Sequence, residues 1–313
     1  MPHVAPSPPR PLAPSGVLPG TARAVTWRSL VIALLLIPVN AYWVVQMERV
    51  RYSSHPTTIS LFFNVVFILL VVTLVNMVVS RRFPRAALSR GELLVIYAML
   101  AVASTPPAHD MFQVLVPMLA WPYRFADDSN RWMPLFGDYL PRWAMATDKA
   151  AIAGYFNGNT SVYLPQHLAV WAFPALAWCA FTSLLLFVML CMNAILRKQW
   201  TERERLTYPI AQIPLELTAG VGEGRWPSTF RNRLFYIGFA LAATVDIVNG
   251  LNLYYPWIPP ILAPGFGQSF IDLRPFFPDK PLSAIGWTPV SWYPFMIGLG
   301  MLMPLDFLFS AWF

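Results

Sequence analysis

The stretch ELLVIYAMLAVASTPPAHDMFQVLVPMLAW, residues 92–121, decides how the whole chain is read. Two apolar runs meet at a pair of prolines, followed by a histidine and an aspartate. In water this reads as two core helices and a loop. In a bilayer it reads as one crossing with a break in it. The surrounding solvent settles the matter, and composition indicates the solvent.

Of 313 residues, 57% are hydrophobic and only 12% charged; the mean hydropathy is +0.50. A soluble domain carries roughly a quarter charged residues. Half that supply cannot cover a water-facing surface of this size, so the lipid bilayer is the expected partner. The 13 Trp and 22 Phe suit it, since aromatic rings favour membrane interfaces. The formal charge of +7 does not point to nucleic acid, because the basic residues fall between apolar runs rather than along one face.

Working outward, runs near 20 residues mark membrane crossings. They cover about 27–47, 58–80, 168–196, 233–253 and 292–313. Arg10, Arg23 and Arg28 flank the first without an acidic neighbour. Arg81, Arg82, Arg85 and Arg90 follow the second. Arg197, Lys198, Arg203 and Arg205 follow the 168–196 run, and Arg225, Arg231 and Arg233 precede the next. All these clusters lie on the cytoplasmic side only if 92–121 crosses once. The expected fold class is therefore an all-α polytopic bundle of six crossings, with both ends cytoplasmic. A Pro-rich tail over 1–25 is expected to be disordered, and 26–313 forms the transmembrane domain. The segment 122–167 becomes an extracytoplasmic loop, in which Arg124, Arg131, Arg142 and Lys149 balance Asp127, Asp128, Asp138 and Asp148. The chain stops at Phe313 inside an apolar run, which predicts a longer protein.

A straight helix over 92–121 would be about 45 Å long, against a hydrocarbon core of about 30 Å. Pro107 removes a backbone donor and clashes with the preceding turn, while Pro106 suits the start of a new helix. The sequence thus predicts half-helices over 92–104 and 106–121. Freed backbone groups in lipid must find partners in protein or enclosed water. Broken helices in secondary transporters hold substrate or coupling ions near the midplane.

His109 and Asp110 follow that break. Asp246 lies inside the 233–253 run with Asn249 and Asn252 at three-residue steps, and Asp306 follows Pro304 in the last run. An ionised Asp at the bilayer centre costs about 2.5–3.5 kcal/mol on insertion scales, so each needs a partner, a wet cavity or a proton. His109, Asp110, Asp246, Asn249 and Asp306 are accordingly the candidate ion- or substrate-binding residues. His109 would relay a proton, and the carboxylates would suit a hard cation. The plainer readings place His109 and Asp110 in water at the outer interface, and Asp246 and Asp306 in helix-to-helix hydrogen bonds. Asn40, Asn64 and Asn76 read as interhelical packing groups.

Other signals are sparse. No phosphate-binding G-x-x-x-x-G-K-[ST], zinc-protease H-E-x-x-H or nucleophile G-x-S-x-G is present, so neither an enzyme nor a cofactor is expected. His3, His55, His109 and His167 are scattered and form no metal motif in sequence. Cys179 and Cys191 would lie about 18 Å apart on one helix, too far for a disulfide, and read as small apolar packing residues. The stretch RKQWTERERLTYPIAQIPLEL, 197–217, reads as a charged helix extension followed by a short proline-broken apolar piece. That piece either lies along the interface as a connector or re-enters the membrane.

The order of GELLVIYAML, LPRWAMATD, ILRKQWTERERLTYPIAQIPLEL and MPLDFLFSAWF resembles an uncharacterised family of bacterial multi-pass membrane proteins (DUF6785-like) over about 25–313. That family is distantly similar to the oligopeptide transporter superfamily. The resemblance implies an inner-membrane protein and carries no established substrate. Residues and resemblance together predict a secondary transporter of a small solute, a peptide or metal chelate, coupled to protons or cations, with homo-oligomerisation open. The alternatives are a non-transporting membrane scaffold or complex subunit, and a membrane-embedded enzyme acting on lipid-linked sugars through Asp127, Asp128 and Asp138.

Overall fold

The computed structural model describes residues 25–313 except 53–54, 59–60, 110, 207, 222–225, 262–270, 291–293 and 313. The expected disordered tail, apart from Val25, and the candidate Asp110 lie outside the described residues. The chain is all-α, as composition predicts. One antiparallel pairing of two residues a side, Ile271–Asp272 with Pro289–Val290, is the exception.

Helix α1 (Trp27–Val45) opens on a capping box in which Thr26 and Ser29 exchange hydrogen bonds, and it continues as a π-helical turn, Gln46–Val50. Helix α2 (Phe63–Arg82) returns. Helix α3 (Arg90–Ala103) opens on a second capping box between Ser89 and Glu92. The segment between α3 and the long helix that follows carries α4 (Phe112–Met118), α5 (Trp121–Phe125), α6 (Trp132–Phe136) and α7 (Lys149–Asn157). Next come α8 (Pro165–Lys198), α9 (Pro209–Leu217) and α10 (Arg233–Tyr254), then the short α11 (Pro294–Gly300) and α12 (Leu305–Trp312). Among the described residues, four helices are long and apolar enough to cross a membrane: Trp27–Val50, Phe63–Arg82, Pro165–Arg203 and Arg233–Tyr254.

Two expected spans differ from the sequence reading. The third stops at Ala103, and helix does not resume until Phe112, so its break is wider than two prolines alone require. The last is divided between α11 and α12, with residues 301–304 non-helical. Pro304 lies at that join, where it starts a helix better than it continues one.

The best-packed part is the α1–α2–α3 group. Leu93, Ile96 and Leu100 of α3 are fully buried and meet Ala33 of α1 and Val65, Ile68 and Leu69 of α2. Lipid tails are as apolar as these side chains, so their burial gains packing rather than release from water. Polar contacts therefore carry more of the specificity. Asn76 of α2 clamps the chain entering α3: its Nδ2 donates to Leu88 O at 3.0 Å and its Oδ1 accepts from Leu88 N at 2.6 Å. At the same end Thr26 Oγ1 donates to Glu92, which ties the start of α1 to the start of α3.

The proline-broken piece after α8 re-enters this core. Leu217, at the end of α9, is buried against the α2–α3 group, and Arg90 Nη2 donates to the Leu215 carbonyl at 3.0 Å. The α4–α7 segment packs separately around Ala120, Ala146 and Ile152, with Tyr123, Phe156, Val170 and Trp171 against them. Trp178 of α8 donates to Ala144 O at 2.9 Å and fastens that unit to the long helix. Cys179 and Cys191 are exposed on α8. This corrects their reading as packing residues: neither side chain is covered by other described residues.

Candidate functional site

The break between α3 and α4 is built from the bottom up by small polar residues. Ser104, the first residue after α3, is fully buried. Its Oγ donates to Leu100 O at 2.9 Å and accepts from Asn40 Nδ2 at 2.8 Å. Asn64 Nδ2 in turn donates to Asn40 Oδ1 at 2.7 Å. One polar residue from α1, one from α2 and one at the break thus form a buried knot joining three elements. This fits the packing role read for Asn40 and Asn64.

Beyond the knot the backbone proceeds in short turns. Thr105 N donates to Val102 O, Ala108 N to Thr105 O, and Phe112 N to Pro106 O. The Pro107 carbonyl, freed by the break, receives Gln113 Nε2 at 2.7 Å. The same nitrogen lies 3.2 Å from Glu48 Oε2. Glu48 itself sits in the π-helical turn closing α1 and is fully buried. Its other oxygen accepts from Thr57 N at 2.9 Å and Thr57 Oγ1 at 2.6 Å. No ion pair neutralises Glu48 among the described residues.

Two histidines face each other over this carboxylate-bearing turn. The His55 and His109 ring centroids are 5.1 Å apart, with planes inclined at 65°. Tyr52 packs on both, at 4.9 Å and 6.5 Å. Tyr52 is held at φ 50°, a left-handed conformation rare for a bulky residue and concentrated at functional sites. A π-helical turn is a further mark of such sites. His55 Nδ1, His109 Nδ1 and Gln113 Oε1 are all buried without a hydrogen-bond partner among the described residues. Buried polar atoms are normally satisfied, so three orphans in one cluster indicate a place for something polar.

A cavity of 470 Å³ opens between α4, α7 and the start of α8. Phe112 and Leu115 form one wall, Trp171 and Trp178 another, and Thr160 and His167 supply polar edges. Gly154 lets the His167 ring approach: a Cβ there would meet Cε1 at 2.9 Å. His167 Nδ1 shares a hydrogen bond with Ser161 O at 2.9 Å, which fixes the ring.

The other candidates lie elsewhere. Asp246 is exposed on α10 and Asp306 is exposed in the first turn of α12. Asn249 is buried, but its Oδ1 accepts from Ile261 N at 2.9 Å. Asn252 likewise donates to Ile258 O at 2.7 Å. These two asparagines tie down the chain leaving α10, and Asp246 does not share their buried setting. No hydrogen bond or ion pair among the described residues joins His109, Asp246 and Asp306, and no three His, Cys, Asp or Glu side chains gather as metal ligands there.

Glu48, His55, Thr57 and Gln113 were not singled out by sequence reasoning. One signal was available: Glu48 is the sole acidic residue before Glu92. An isolated acid at the end of an apolar run needs a reason to be there. The approach of His55 to His109 had no signal, since it arises only when α1–α2 and α3–α4 fold together.

Residues 19–313 match a family of unknown function, DUF6785. The chain belongs to that family. No curated protein and no solved structure matches it.

Proposed function

We propose that this member of the DUF6785 family is a non-enzymatic secondary transporter in a bacterial inner membrane, with its N-terminus cytoplasmic. It moves a small solute, a peptide or metal chelate, coupled to protons or cations. The observation that carries this reading is the break at 104–111. There a fully buried carboxylate and three orphaned polar atoms border irregular backbone. Transporters place substrate and ion sites at such breaks. The cavity lined from Phe112, the first residue of α4 after the break, offers a solute an apolar wall.

The scaffold reading draws on a different feature. Helices α8 and α10 present long exposed apolar faces, with Phe173, Leu184 and Phe187 on one and Tyr236, Phe239 and Leu241 on the other. Asp246 and Asp306 are exposed as well, and a partner subunit or a second copy of the chain would cover them.

Proteoliposomes separate the two. With an inward proton gradient, trialanine or a nickel–histidine chelate should be taken up and should discharge the gradient. Gradients that persist with both probes, together with a stable stoichiometric complex on purification, would favour the scaffold. Orientation is read with an impermeant thiol reagent in a chain lacking Cys179 and Cys191. A cysteine near Arg85 or Lys198 should be protected in intact cells and one near Asp138 labelled; the reverse pattern overturns the topology.

A further inference from the structure

The two histidines over the break invite a sharper assignment. An edge-to-face contact between aromatic rings tolerates centroid separations of about 4.5–7 Å, so packing alone accommodates 5.1 Å. Packing does not account for the nitrogens. A buried polar atom is normally hydrogen-bonded, yet both Nδ1 atoms are buried and orphaned among the described residues. A tetrahedral metal ion holds imidazole nitrogens at about 2.0–2.1 Å, which sets two ring centroids roughly 5 Å apart. One ion between the rings would satisfy both nitrogens at the separation observed.

Charge points the same way. Glu48 is fully buried and takes three hydrogen bonds, yet has no cationic partner among the described residues. A buried carboxylate with hydrogen bonds but no counter-charge is costly. A divalent cation at the histidine pair would offset it. Imidazole favours zinc, copper and nickel over magnesium or calcium.

We propose that His55 and His109 bind one divalent transition-metal ion of the zinc class through their Nδ1 atoms. Glu48, tied to the same two segments through Thr57 and Gln113, supplies the counter-charge. The remaining coordination positions are open to water or solute, unlike the four-ligand closure of a structural site. Tyr52, held in its strained backbone conformation, packs on both rings and limits their rotation.

The test is binding, which needs no gradient, so its outcome is independent of whether the chain transports. The full chain, free of any polyhistidine tag and stripped with chelator, is titrated with Zn²⁺ in nanodiscs. Co²⁺ absorption serves as a second readout. The expected result is one ion per chain. Loss of a group that only hydrogen-bonds to a metal ligand weakens metal affinity about 10–100-fold, so His55→Ala and His109→Ala should each weaken binding at least tenfold. His109→Cys restores a ligand and should bind Zn²⁺ again. His3→Gln should leave binding unchanged. No saturable binding to the unaltered chain, full affinity in both alanine variants, or a folded His109→Cys chain that fails to bind would overturn the assignment.

Discussion

Gln113 donates a hydrogen bond to the Pro107 carbonyl at 2.7 Å, six residues back across the break in the third segment. A helix would have used that carbonyl internally; here one side-chain amide replaces the lost backbone donor and reaches Glu48 as well. Gln113→Leu keeps the bulk and removes the donor, which leaves a carbonyl and a carboxylate short of one bond each. Unmaking a buried hydrogen bond costs about 1–3 kcal/mol. The variant should melt several degrees lower in nanodiscs. An unchanged Tm would mean that water already serves both acceptors.

The prolines should matter for shape before stability. With Pro106→Ala and Pro107→Ala together, the backbone regains two donors and loses the ring clash. Helix should then propagate from Ala103 toward Phe112. Amide exchange over 104–111 should slow, because turn bonds such as Ala108 N to Thr105 O would give way to an i→i−4 ladder. His109 would turn away from His55, and gradient-driven uptake should fall while expression is kept. Exchange at the original rate would show that tertiary contacts, and not the prolines, hold the break open.

The Asn40–Asn64–Ser104 knot makes an asymmetric prediction. Asn64→Leu alone leaves Asn40 Oδ1 without its donor and should destabilise by about 1–3 kcal/mol. Replacing all three residues with Leu, Leu and Ala removes every unpaired atom along with the bonds. The triple variant should therefore melt nearer the unaltered chain than the single one does. If the triple variant is the worst of the set, the knot contributes more than the sum of its pairs, as a cooperative network can.

Much of this architecture was legible in the sequence because the bilayer simplifies it. Apolar runs near 20 residues and arginine clusters at their ends announce spanning helices, and α1, α2, α8 and α10 lie where those runs fall. The proline pair announced the break, although its width was not apparent. Width depends on Ser104, Gln113 and Glu48 finding partners in other segments, and no local rule supplies that. The candidate site was legible only at His109. Asp246 drew attention as a charge in an apolar run, yet nothing in the run says which way it faces. Glu48 closes the first apolar run, where its isolation as an acid was the one available signal; His55 sits in connecting chain, where polar residues are ordinary and give no warning.

Asp246 remains the sharpest probe of coupling because the structure separates it from its neighbours. Asn249 and Asn252 bind the chain beyond α10, so their removal should loosen that connection. Asp246 is exposed on the helix and makes no hydrogen bond among the described residues. Asp246→Asn mimics the protonated side chain and leaves no described bond unmade, so the variant should keep the Tm of the unaltered chain. Asn249→Leu should lower it by an amount matching one lost buried bond, about 1–3 kcal/mol. If Asp246 carries the coupling proton, the asparagine variant loses uptake driven by the proton gradient and keeps solute exchange across equal pH. Unchanged gradient-driven uptake would remove Asp246 from the mechanism and leave coupling to the cluster over the break. A large fall in Tm for Asp246→Asn would instead mean that the carboxylate meets a partner in the assembled protein, as the scaffold reading requires. Melting and uptake measured on the same reconstituted variant distinguish these three outcomes.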